Sequence, residues 1–218
     1  FSKHNSFIKI PQIIKDLKSG KSIALVSDAG MPSICDPGED LVREAKLKGI
    51  DVVCIPGPCA AINALISSGM PSSSFIFEGF LPKKKKEREE ILLEISRYNK
   101  TTILFESPHR LMKLLGELKE FCGGDREIQV SRELTKKFEE HIYLTINDII
   151  SHFQSKVILG EITIVIKGKD KRNNLDIDKS SLKKELNELM KAGLSLSAAS
   201  SYLAKKKNLT KSIVYNLI

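Results

Sequence analysis

Short apolar runs separated by amphipathic stretches organise the chain from Lys21 onward. Ser22 to Ser27 (SIALVS) and Asp51 to Ile55 (DVVCI) are brief, apolar and rich in β-branched residues, the pattern of strands buried on both faces. Between them Leu41, Val42, Ala45 and Leu47 recur at helical spacing over Glu39 to Lys48, and Gly49 follows as a stop. Ala60 to Ser67 predicts another helix after a PGPC turn. FIFEGF, TTILF, EIQVS, HIYLTI and EITIVIKG predict five more strands, with helices over Lys85 to Arg97, Pro108 to Phe121 and Asn147 to Phe153. Hairpin-like strands around Val130 and Tyr143 predict a mixed sheet. The whole reads as an α/β body of two layers joined near residues 70 to 75, with a ligand cleft between them.

The last segment differs in pattern and in charge. KGKDKRNNLDIDKSS (167 to 181) lacks an apolar face and reads as a linker. Beyond it Leu182, Leu186, Leu189 and Met190 predict a helix stopped by Gly193. A second helix runs from Ser197 through Ala199, Leu203 and Ala204, and a third from an N-cap at Thr210 through Ile213, Val214 and Leu217. The KKNLT connection fits a helix-turn-helix, although a three-helix domain with no nucleic-acid role fits the pattern equally well. Charge separates the two. The 218 residues carry 35 basic against 27 acidic side chains, a net +8, and the stretch from Lys179 to the end holds eight Lys against two Glu. Lysines neutralising phosphates are the main source of sequence-independent affinity for nucleic acid.

A hydrophobic fraction of 41% with 28% charged residues is globular composition and excludes a collagen, a coiled coil or a disordered tail. No apolar run approaches the roughly 18 to 20 residues that span a bilayer, so the reading is of a soluble, cytoplasmic protein with no membrane partner. Cys35, Cys54, Cys59 and Cys122 form no CxxC pair and have no His at zinc spacing. Reduced cysteines and no metal are expected, with Cys54 as a small buried apolar group.

Chemistry concentrates in loops that follow strands. SDAGMPSICDPG (Ser27 to Gly38) packs two Gly, two Pro and two Asp into a stretch too irregular for any regular element. Asp28 stands at the strand's end to accept bonds from a ribose or an amine. IPGPCAAINAL (Ile55 to Leu65) places small residues, Ala60 and Ala61, where a helix exposes its amide groups. FESPHR (Phe105 to Arg110) and SRELTKKFEE (Ser131 to Glu140) each set carboxylates beside cations: Glu106, His109 and Arg110 in one, Arg132, Glu133 and Lys136 in the other. In KKKKEREE, Lys83 to Lys86 oppose the dipole of the helix they open, a conflict that an RNA backbone would relieve. As a charge run, the same stretch also reads simply as a solvated helix start.

The loops lack GxxxxGK[ST], GxGxxG and GxSxG, which removes the usual support for an ATPase, a nicotinamide enzyme or a serine hydrolase. SDAGMPSICDPG, PGPCAAINAL, FEGFLPKK, FESPHR and RELTKKFE, in that order and spacing, resemble the ribosomal RNA small subunit methyltransferase I family, a branch of the tetrapyrrole methylase superfamily. The resemblance implies a two-domain α/β fold, over residues 1–73 and 74–170, with S-adenosylmethionine in the cleft and a lysine-rich helical domain over 171–218. It also implies a homodimer that methylates the 2′-oxygen of a cytidine in the decoding region of 16S rRNA, free or in the small ribosomal subunit. Asp28, Gly30 and Pro32 then fall in the first cofactor loop, and Ala60 and Ala61 in the second. Lys83, Lys84, Arg110, Arg132 and Lys136 are the candidate RNA contacts, and Glu106, His109 and Glu133 the candidate bases. Family members normally begin with a strand, a PxGNLxD loop and an AEDTR-like segment, none of which occurs here, so the chain reads as amino-terminally truncated. A tetrapyrrole methyltransferase and a noncatalytic RNA-binding remnant are the alternative readings.

Overall fold

The computed structural model describes residues 6–169, 179–207, 209 and 211–217. The chain divides into two compact units between Lys169 and Asp170. Among the described residues no helix is long and apolar enough to cross a membrane.

The first unit is built on a five-stranded sheet of β1 (Phe75–Phe80), β2 (Thr101–Glu106), β3 (Glu127–Arg132), β4 (Glu140–Thr145) and β5 (Ile162–Ile166), in the order β1-β2-β5-β3-β4. β1 and β2 are parallel, whereas β5 runs antiparallel to both β2 and β3, and β4 closes a hairpin with β3. The position of β5 has one consequence for the site. β1, β2 and β3 all point the same way, so their carboxyl ends, Phe80, Glu106 and Arg132, lie along one rim. Ile162 is the register partner of both Glu106 and Arg132, and Phe80 pairs with Phe105.

Strand alternation sends neighbouring side chains to opposite faces. Leu104, Ile128, Val130, Ile162, Ile164 and Ile166 meet the helices α4 (Lys85–Arg97), α5 (Pro108–Cys122) and α6 (Ile146–Phe153) in the main core. Ile103 and Val165 turn the other way, onto Ala61, Ala64 and Leu65 of α3 (Ala60–Ser68), with Phe77 and Phe105 packed alongside. β5 is sandwiched, which is why all five of its residues are buried.

The amino-terminal part departs from the sequence reading in three ways. A helix, α1 (Ser6–Lys18), precedes the first predicted element, and its Ile10, Ile13, Ile14 and Leu17 pack on Leu41 and Ala45 of α2 (Glu39–Leu47). Pro11 lies inside α1 and gives up one backbone donor there. Ser22 to Ser27 and Asp51 to Ile55, expected as buried strands, enter no ladder among the described residues, and Val26, Val53 and Ile55 are 81%, 84% and 80% exposed. A strand exists only with a partner for its backbone groups. Cys54, expected to be buried, is exposed with its segment. The cysteines form no disulfide, and burial pushes the Cys122 thiol above its ordinary value.

The second unit contains α7 (Lys179–Lys191), α8 (Leu196–Lys207) and α9 (Lys211–Tyr215), with Leu182, Leu186, Ala199, Leu203, Ala204 and Val214 as its core. Gly193, at φ +99°, ends the α7 segment as its sequence position implies. The predicted N-cap Thr210 and most of the linker lie outside the described residues.

Candidate active site

The two glycine- and proline-rich loops touch one another. A Cβ on Gly30, which sits at φ +71°, would lie 3.4 Å from the Pro58 carbonyl, and one on Gly57 would lie 3.0 Å from Met31 Sδ. The first loop also reaches the sheet. At the bulge in β1, Gly79 adopts φ +63° and a Cβ there would meet Cys35 Sγ at 2.6 Å. Any larger residue at Gly79 would both strain the backbone and push the loop away from the rim. Asp28 and Gly30 are exposed and Pro32 half-buried on this loop.

The second loop delivers the amino end of α3. Its N-cap, Cys59, is extended and makes no side-chain cap bond, so the first amides of the helix have neither an intrahelical partner nor a cap. Ala61 is buried against the sheet, while Ala60 is half-buried and adds only a methyl group. Uncapped amides, small side chains and a neighbouring loop bearing Asp28 make a surface suited to a polar ligand that carries both acceptors and donors.

The charged residues expected at the rim separate into distinct arrangements. Glu106, one of the three candidate bases, is 2% exposed and lies on the α4/α5 face of the sheet, opposite α3. Its carboxylate accepts from Ser107 N at 2.9 Å and stands between two guanidiniums, 3.4 Å from Arg110 Nε and 3.6 Å from Arg88 Nη2. Arg88 is 4% exposed, donates to Glu117 Oε2 at 2.8 Å and reaches the Pro82 carbonyl at 3.5 Å. Arg110 reaches the Leu81 carbonyl at 3.4 Å. Glu106 therefore binds the end of β2 to α4, α5 and the connection that leads into the lysine run. That geometry makes Glu106 part of an ion-pair network joining these elements.

The same observation revises KKKKEREE, because Arg88 is an internal ion-pair residue rather than part of a solvated face. Lys83 to Lys86 are exposed, with Lys84 3.0 Å from Glu87. His109 is exposed on the first turn of α5 and belongs to none of these ion pairs.

Glu133 and Lys136 face each other in the β3–β4 connection. Glu133 sits at φ +53° and its Oε1 accepts from Glu161 N at 2.9 Å and from Lys136 Nζ at 3.0 Å. These bonds, with the backbone donor contributing most, hold its carboxyl below the usual glutamate range, which makes it a poor proton acceptor. A Cβ on Gly160 would collide with the Glu133 side chain, so that glycine is required as well. Leu134 packs beside Cys59 on the α3 cluster and fixes the connection to the α3 side of the sheet. Arg132 pairs with Glu140 at 3.1 Å.

Behind the loop, Gln129 Nε2 donates to Ser67 Oγ, Ser131 Oγ and the Ala64 carbonyl, and His141 Nδ1 lies 3.1 Å from Ser131 Oγ and 3.3 Å from Ser67 Oγ. His141 Nε2 lies 2.8 Å from Glu139, whose other oxygen accepts from Thr135 N at 2.6 Å. This chain of bonds ties α3 to the hairpin. Gly79, Arg88, Leu134, Gly160 and His141 are not singled out by the sequence, although the first three lie inside its motifs, because the part each plays depends on a partner from another element.

Residues 5–150 match the model of the tetrapyrrole (corrin/porphyrin) methylases. The chain is 39% identical over 217 residues to a ribosomal RNA small subunit methyltransferase I of Synechocystis sp., covering all of this chain and 78% of that protein. It is 46% identical over 170 residues to the protein of the same name from Thermotoga maritima, covering 78% of this chain and 76% of that one. A cobalt precorrin-4 methyltransferase of cobalamin biosynthesis shares the fold, with a TM-score of 0.54 at 18% identity over 73% of this chain and 69% of that one. Mixed sheet, paired loops and these relatives agree: the chain belongs to the tetrapyrrole (corrin/porphyrin) methylase family, in the group of ribosomal RNA small subunit methyltransferases I.

Proposed function

We propose that this chain is an S-adenosylmethionine-dependent methyltransferase of small-subunit ribosomal RNA, with a cytidine ribose 2′-hydroxyl in the decoding region as acceptor. The observation that carries the reading is the contact between the loop of residues 27–38 and the turn before α3, made at the rim where β1, β2 and β3 end. Family membership gives that contact its meaning. The cofactor fits these residues: the uncapped amides at Ala60 and Ala61 suit its carboxylate and adenine acceptors, Asp28 suits its ribose hydroxyls or amine, and Gly30 and Pro32 keep the first loop narrow. When bound, it supplies a methyl group on a sulfonium, which is already a good leaving group.

The protein's own residues then have two tasks. The first is to hold the acceptor oxygen in line and exclude water, which can contribute roughly 7 to 11 kcal/mol. Lys83, Lys84, Arg110, Arg132 and Lys136 border the rim and would bind the RNA backbone, Lys136 while retaining its pair with Glu133. The second is to take the hydroxyl proton, typically an effect of about 10²-fold to 10⁴-fold. Of Glu106, His109 and Glu133, His109 is favoured, because the other two carboxylates are held by guanidinium, ammonium and amide donors.

In the same reading, residues 1–73 and 74–170 act as the two lobes of the methylase, the lysine-rich helices after residue 171 add affinity for rRNA, and the protein works as a homodimer on the rRNA or the small subunit. The test is to incubate the chain with tritiated S-adenosylmethionine and small-subunit rRNA and map the label by nuclease digestion and mass spectrometry. One ribose-methylated cytidine is expected. Label on a base, or on a tetrapyrrole in preference to RNA, would overturn the proposal.

A further inference from the structure

Phe138 is 65% exposed, an unusual position for a large aromatic side chain in an ordered loop. The loop is held firmly. Glu133 and Thr135 both adopt left-handed backbone, at φ +53° and +65°. Glu139 accepts from Thr135 N, Lys136 reaches both Glu133 and Glu161, and Leu134 is packed into the α3 cluster. A constrained loop therefore presents an apolar ring to solvent; Glu139 and Glu140 follow it and Lys136 is paired with Glu133 and Glu161, but Lys137, which has no ion-pair partner among the described residues, sets its Nζ 5.6 Å from the centre of the ring. The ring makes no aromatic contact with the rest of the described protein, unlike Phe77, Phe80 and Phe105, which pack on one another.

Resting on the rRNA-methyltransferase reading, we propose that Phe138 is the platform on which an unpaired base of the substrate RNA stacks, with Lys137 and Lys136 beside it for the adjoining phosphates. Sequence-specific RNA recognition works on splayed single-stranded bases laid on aromatic rings, and a ribose 2′-oxygen is reached more readily once its nucleotide leaves the stack. A lysine above one ring face leaves the opposite face for a base. A second copy of this chain would match an apolar surface with another, whereas the unpaired Lys137 beside the ring matches a phosphate.

The experiment compares the full chain with Phe138→Ala, Phe138→Leu and Phe138→Tyr. It measures methyl transfer to small-subunit rRNA transcribed in vitro, direct binding of that RNA by fluorescence anisotropy, S-adenosylmethionine affinity by calorimetry, and sedimentation. Stacking predicts that Ala and Leu weaken RNA binding and raise KM for RNA roughly tenfold to a hundredfold, while Tyr behaves as wild type and neither cofactor affinity nor oligomeric state changes. RNA binding by Phe138→Ala within a factor of about two of wild type, equal damage from Tyr and Ala, or a change confined to oligomeric state would each overturn the proposal. Aromatic-dependent RNA binding without methyl transfer would reject the enzymatic reading and keep the platform. No RNA binding by the wild type would reject both.

Discussion

Glu106→Gln keeps the shape of its side chain while deleting the charge that two guanidiniums share. Removing one partner of a buried ion pair typically costs about 3 to 5 kcal/mol, because the other charge is left uncompensated. Glu117 still faces Arg88 in the variant, so the lower end of that range is expected. Calorimetric melting should therefore show a marked loss of stability, while turnover at saturating RNA and cofactor stays close to wild type. A collapse of turnover at unchanged stability would instead restore Glu106 as the base. The sequence placed Glu106 and Arg110 in one motif, FESPHR, and so made a reactive cluster easy to imagine. What it hid was Arg88, a residue on another helix that turns the cluster into a brace. Charge is legible in a sequence, but whether it is paired is decided by packing.

The β3–β4 connection shows how a single element depends on such pairing. Glu133 and Glu139 are both held below the ordinary glutamate value of 4.5, the first mainly by the Glu161 amide and Lys136, the second mainly by His141 and the Thr135 amide. A carboxylate with a lowered folded pKa stabilises the fold fully above its unfolded value, and that stability is lost as pH falls through the folded value. His141, Arg132, Glu140 and Glu161 also face these groups. The loop should accordingly keep its order at neutral and mildly acidic pH and loosen only below about pH 4.5. Hydrogen exchange at the Thr135 and Glu161 amides measures this; release already near pH 6 would contradict it. Other elements were legible to differing degrees. The five strands of the sheet and helices α2 to α8 stand close to where apolar periodicity predicts, because each packs at least one face against a local core. Ser22–Ser27 and Asp51–Ile55 carry the same apolar signal without a ladder, since periodicity reports the burial a segment suits and never names its partner. The residues of α1 had suitable spacing, masked by Pro11.

At the scale of the molecule, the family is open to sequence because five motifs keep a fixed order, and the mixed sheet because hairpin-like strands stand around Val130 and Tyr143. The joining of the loops was not, since it depends on a bulge at Gly79 that lets Cys35 approach β1 and on glycines at residues 30 and 57 that let two turns touch. The lysine-rich second unit adds basic charge on three helices whose core is self-contained. On the proposed function its contribution is RNA affinity, and the cofactor is assigned to the first unit. That division rests on α3 offering free amides beside the first loop. Titrating S-adenosylmethionine calorimetrically into the chain and into Ala60→Asp tests it. An acid in the first turn favours the helix dipole, so the variant should fold normally while its own carboxylate occupies the amides. Saturable binding by the wild type, weakened about a hundredfold or more in the variant, is the predicted result; no saturable heat from the wild type, or equal affinity in both, would contradict it.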